Sequence, residues 1–90
     1  MRQNVLVIDD QTSNAMLVAE ILSGIAPEID VVTFVQPLEA VRYAAENPLD
    51  LVITDFSMPE LDGIGVIRQL KRMEHLFDVP IVVVTAHEGI

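Results

Sequence analysis

Three aspartates set the chemical question. Asp9 and Asp10 stand directly after the apolar run Val5–Ile8, and Asp55 stands directly after Leu51–Thr54. Ligands of open parallel α/β sheets bind in the crevice beyond the carboxyl ends of the strands, so acids at those ends sit where a site forms. If the two strands are neighbours, the three carboxylates converge. Like charges at such range need compensation, either by taking up protons or by holding a cation between them. A cluster of oxygen donors with room for water suits Mg2+ better than a soft metal. A carboxylate beside Mg2+ is a poor general base but a usable nucleophile toward phosphorus, and the product is an acyl phosphate that water can hydrolyse. The segment after Asp55 fits this chemistry. Pro59 fixes φ and Gly63 accepts a turn geometry that side chains resist, so a carbonyl just after Asp55 can be bent toward a metal. Thr85 ends the last apolar run, with a hydroxyl placed to donate to an anion over the site.

These residues need a scaffold, and the chain supplies one. Val5–Ile8, Asp30–Phe34, Leu51–Thr54 and Ile81–Thr85 are short and rich in β-branched residues. Three of them lack polar alternation, as strands buried on both faces do. Helical segments lie between. Thr12, Ser13 and Asn14 offer N-cap oxygens for the first, whose expected apolar face is Leu17, Val18, Ile21, Leu22 and Ile25, with Gly24 and Pro27 at its end. The second runs from about Pro37 to Glu46, with Leu38, Val41 and Ala45 on one face and Asn47-Pro48 closing it. The third runs from about Ile64 to Met73, with Ile64, Ile67 and Leu70 inward. Strand and helix alternate, which predicts one α/β domain over residues 1–90, a doubly wound parallel sheet with helices on both faces.

Composition bounds the function. The chain has 90 residues, 51% of them hydrophobic, which argues for a packed core rather than disorder. Five Lys and Arg face 14 Asp and Glu, a formal net charge of −9. That field disfavours nucleic acid and anionic membranes and suits cations and basic partners. There is no cysteine, no secretory signal at the first residues, and no apolar stretch long enough for a membrane helix, so a cytoplasmic protein is the expectation.

The set Asp9-Asp10, Asp55, the run DFSMPELDG and Thr85-Ala86, in order on alternating strands, resembles the receiver domain of two-component response regulators. The resemblance covers the whole chain. It implies a flavodoxin-like fold with sheet order 2-1-3-4-5 and a phosphoacceptor signalling domain rather than an enzyme. Asp55 would take a phosphoryl group from a histidine kinase or a histidine phosphotransfer protein. Asp9, Asp10, Asp55 and the Ser57 carbonyl would hold Mg2+, and Thr85 would be the switch hydroxyl. Receivers carry a fourth helix, a fifth strand and a fifth helix after strand 4, and with them a lysine and an aromatic switch residue. The chain stops at Ile90 without them, and Lys71 is its one lysine. The expectation is a piece of a longer regulator with an output domain, and DDQTSN after the first strand resembles receivers joined to cyclic-dinucleotide phosphodiesterase outputs. The bared fourth strand then predicts a homodimer through that edge.

The alternative is an interaction module in which only pairing remains. A Mg2+-dependent hydrolase fits less well, because such enzymes carry an acid two residues past the nucleophile, where Ser57 stands. Glu60 and Asp62 read as loop acids, and His75 and His87 as surface residues, since neither has a second ligand at metal spacing. Met58 and Phe56 read as packing and loop residues.

Overall fold

The structure is a computed structural model that describes residues 2–84. Thr85 and His87 lie outside the described residues. Strands β1 (Gln3–Ile8), β2 (Ile29–Phe34), β3 (Leu51–Asp55) and β4 (Ile81–Val84) alternate with helices α1 (Thr12–Ile25), α2 (Pro37–Glu46) and α3 (Gly63–Lys71). Every strand pairing is parallel, in the order β2-β1-β3-β4, which matches the expected order over four strands.

The pleat divides the core in two. Leu6, Ile8 and Val52 point to one side, where Ala40, Ala44, Val66, Leu70 and Leu76 from α2, α3 and the following turn close over them. Val5 and Val7 point to the other side, against Ala15, Val18 and Leu22 of α1. Burying each of the large core side chains stabilises the fold by about 2 kcal/mol.

The helix faces differ from the sequence expectation. In α2 the buried residues are Pro37, Ala40 and Ala44, while Leu38 is exposed and Ala45 faces solvent. Small side chains let that helix approach the sheet closely, so the inward stripe is alanine. In α3 the inward stripe is Gly63, Val66 and Leu70, and Ile64 is exposed. In α1 the inward face is Ala15 with half-buried Val18 and Leu22, whereas Leu17, Ile21 and Ile25 are exposed. That helix is apolar on two sides, and periodicity alone does not say which side meets the sheet.

The N-terminal caps also moved. Gln11, not Thr12, Ser13 or Asn14, is the N-cap of α1, and its side chain makes no capping bond. Asp62, expected to be a loop acid, caps α3 by accepting from the Gly65 amide at 2.8 Å. An N-cap carboxylate of this kind stabilises a helix by about 1 kcal/mol. Among the described residues no helix is long and apolar enough to cross a membrane.

Candidate functional site

The register of the sheet builds the site. Ile8 pairs with Thr54 across β1 and β3. One residue on, Asp9 and Asp55 stand at the same level past the last β1–β3 pair, with Asp55 still paired to Val84 of β4. Asp10 follows in the bend between β1 and α1. The three carboxylates each place one oxygen within 4.8 Å of the others, so the convergence expected from the sequence is met. Asp9 and Asp55 are half-buried and Asp10 is exposed.

Local hydrogen bonds aim the carboxylates. The Gln11 amide donates to Asp9 Oδ1 at 3.0 Å, which ties that side chain to the turn before α1. The Phe56 amide donates to Asp55 Oδ1 at 2.9 Å and to the Val84 carbonyl at 3.1 Å. The Gly63 amide donates to the Phe56 carbonyl at 2.8 Å, folding the β3–α3 loop back over the end of β3. Within that loop Glu60 has φ 74°, the left-handed region, and Met58 packs on the core. Phe56 is exposed beside Asp55, and Ser57 is exposed in the same loop.

The electrostatics follow from this crowding. Partial burial raises the Asp55 pKa above its ordinary value, and the Asp9 charge and then the Asp10 charge raise it further. The Phe56 and Ser57 amides act in the opposite sense. The net direction is up, with burial the largest cause and the neighbouring charges adding to it. The oxygen-only donor set and the unrelieved repulsion both fit a small hard cation such as Mg2+.

Other residues singled out from the sequence do not join the site. Lys71 donates to the Phe77 and Val79 carbonyls at 3.0 and 2.6 Å, in the connection that leads to the amino end of β4. His75 is exposed, with Nε2 2.9 Å from the Ala44 carbonyl. Two residues near the site escaped the sequence reading. Asp62 was legible as an acid just before an apolar periodic run. Thr54, buried at the end of β3 with its hydroxyl donating to the Asp55 carbonyl at 3.0 Å, gave no signal beyond being polar in an apolar run.

The family model for the response regulator receiver domain matches residues 5–90. The chain belongs to that family. This receiver is 34% identical over 82 residues to the cyclic di-GMP phosphodiesterase response regulator RpfG of Xanthomonas campestris, a match that covers 91% of this chain and 22% of RpfG. It therefore spans less than a quarter of that relative. Among solved structures, chemotaxis protein CheY4 of Vibrio cholerae superposes with a TM-score of 0.89 over 99% of this chain and 72% of that one, at 24% identity, a likeness of fold. The receiver domain of sensor histidine kinase PA1611 from Pseudomonas aeruginosa, solved with a magnesium ion in its active-site cleft, has a TM-score of 0.86 at 26% identity and covers 97% of this chain and 70% of that one.

Proposed function

We propose that this receiver accepts a phosphoryl group on Asp55 with Mg2+ and passes the change to an output, acting as a signalling domain and not as an enzyme on an outside substrate. The observation that carries the reading is the convergence of Asp9, Asp10 and Asp55 oxygens within 4.8 Å at the carboxyl end of a parallel sheet. Asp9, Asp10, Asp55 and the Ser57 carbonyl would hold the ion. When bound, Mg2+ supplies charge neutralisation at the carboxylates and at the incoming phosphoryl oxygens.

The chain's own groups do the rest. The Phe56 amide orients the Asp55 carboxylate through Oδ1, and the carboxylate attacks phosphorus. With a phosphohistidine donor the P–O bond to Asp55 forms as the P–N bond breaks, and the electron pair returns to the imidazole nitrogen. Half-burial of Asp55 limits water at the product, and hydrolysis later restores the carboxylate and releases phosphate. Thr85 is proposed as the switch hydroxyl that donates to the phosphoryl oxygens. The donor is a histidine kinase or histidine phosphotransfer protein, in the cytoplasm. The DDQTSN stretch and the similarity to RpfG support an output of the cyclic di-GMP phosphodiesterase class in a longer protein.

The test is incubation of the chain with acetyl phosphate and Mg2+, followed by intact mass. A gain of about 80 Da is expected, absent in Asp55→Asn and absent with chelator. No gain in the folded wild-type chain contradicts the reading.

A second reading rests on β4, the outermost strand among the described residues, whose Val82 and Val84 are exposed. As an isolated 90-residue chain it would pair with a second copy along this edge. Light scattering that stays monomeric at high concentration contradicts the pairing.

A further inference from the structure

We propose that Thr54 is a positioning residue for the phosphoacceptor, holding the main chain of Asp55 by its carbonyl oxygen; this rests on the reading of Asp55 above. Thr54 is the buried polar side chain of the core among the described residues, with no exposed surface. Valine would continue the apolar run and fill the same volume, so a hydroxyl there serves something other than packing. Among the described residues, its side-chain hydrogen bond goes to the Asp55 carbonyl at 3.0 Å.

That carbonyl needs a partner. The Val52 and Phe56 amides donate toward β4, to Pro80 and Val84, and the alternation along a strand turns the Asp55 carbonyl toward β1. Pairing with β1 ends at Ile8–Thr54, one residue too early to serve it. The Thr54 hydroxyl donates to it instead.

A second, separate observation meets at the same oxygen. A Cβ on Gly63 would lie 2.8 Å from the Asp55 carbonyl oxygen and 3.1 Å from the Phe56 Cα. Only a glycine lets the first turn of α3 close against the end of β3 at this distance. The carbonyl is therefore bounded on two sides, by a donor in the core and by the closely packed Gly63 at the start of α3. The carboxylate hangs from that fixed point, and its reach toward Asp9 and Asp10 depends on it. Displacing a reacting atom by about 1 Å costs up to about a hundredfold in rate.

The experiment compares Thr54→Val, Thr54→Ser and Gly63→Ala with wild type in the 90-residue chain. Acetyl phosphate labelling gives the phosphorylation rate and its Mg2+ requirement, amide exchange in the metal-free chain reports Phe56 and Gly63, and thermal unfolding reports the fold. Thr54→Val is expected to stay folded, lose about tenfold in rate, need more Mg2+ and exchange faster at both amides, while Thr54→Ser restores all three. Gly63→Ala is expected to slow labelling likewise, and it carries the test if Thr54→Val does not fold. A folded Thr54→Val with wild-type rate and wild-type exchange overturns the proposal, as does wild-type behaviour of Gly63→Ala when Thr54→Val is unfolded. If wild type itself takes no phosphoryl group, the reading of Asp55 fails, and the metal-free exchange alone judges the Thr54 contact.

Discussion

The two ends of the sheet use the same residue type in opposite ways. At the amino end, Asp30 meets Arg2 at 2.7 Å and its pKa falls below the ordinary value, chiefly through that hydrogen bond. Asp50 nearby accepts from the Asn4 amide at 2.8 Å. At the carboxyl end, Asp55 faces Asp9 and Asp10, and its pKa rises, chiefly through partial burial and then through those charges. Among the described residues the salt bridge to Asp30 is the single one, so no side-chain cation serves the carboxyl end. An acid that is paired holds structure together. Acids that are crowded and unpaired store a demand for a cation, and that demand is what a phosphoacceptor site uses.

The sharpest way to break the contrast is to make the carboxyl end resemble the amino end. Asp10→Arg gives Asp55 a cationic neighbour and removes a ligand. Phosphoryl uptake from acetyl phosphate should fall by at least about a hundredfold, and the Asp55 pKa should drop below the wild-type value. Asp9→Asn should do less, weakening Mg2+ binding by about tenfold while raising the stability of the metal-free chain at neutral pH, because it relieves repulsion. Calorimetric metal titration and thermal unfolding check the two halves.

The pH dependence should carry opposite signs at the two ends. The Asp55 pKa is raised above 3.8, so its contribution to stability is full below that value and is lost as pH rises through the folded pKa. The Asp30 pKa is lowered, so its contribution is present above 3.8 and is lost as pH falls. Unfolding midpoints of the metal-free chain, compared with Asp55→Asn and Asp30→Asn across this window, separate the two trends. Adding Mg2+ should reverse the Asp55 trend and leave the Asp30 trend alone. Smaller again, Asp50→Ala should cost about 1 kcal/mol in stability and leave phosphorylation unchanged. Arg2→Gln should abolish the small Asp30 trend, which is visible only at low salt because exposed pairs contribute little, and leave phosphorylation unchanged.

Much of this was legible in the sequence. Acids placed at the ends of apolar runs told where the site forms, because the alternating pattern leaves parallel pairing as the simple solution. The receiver resemblance then supplied the strand order and the roles proposed for Asp9, Asp10 and Asp55. What stayed hidden depends on tertiary distance. Ala40 and Ala44 face the sheet in α2 instead of Leu38 because close approach favours small residues, and no periodicity encodes the approach distance. Thr54 is a single hydroxyl in an apolar run, and its value appears only when the Asp55 carbonyl is seen to lie past the end of the β1 ladder. Glu60 holds a left-handed φ in a loop whose sequence offers Gly63 as the obvious turn residue three places later.

The claim that crowded, cation-seeking carboxylates make Asp55 the reactive group is tested most directly by titrating its carboxyl carbon by NMR in the metal-free chain and again with Mg2+. The account predicts a pKa above the ordinary aspartate value without metal that falls when Mg2+ is added. A pKa at or below the ordinary value, unmoved by Mg2+, would contradict it.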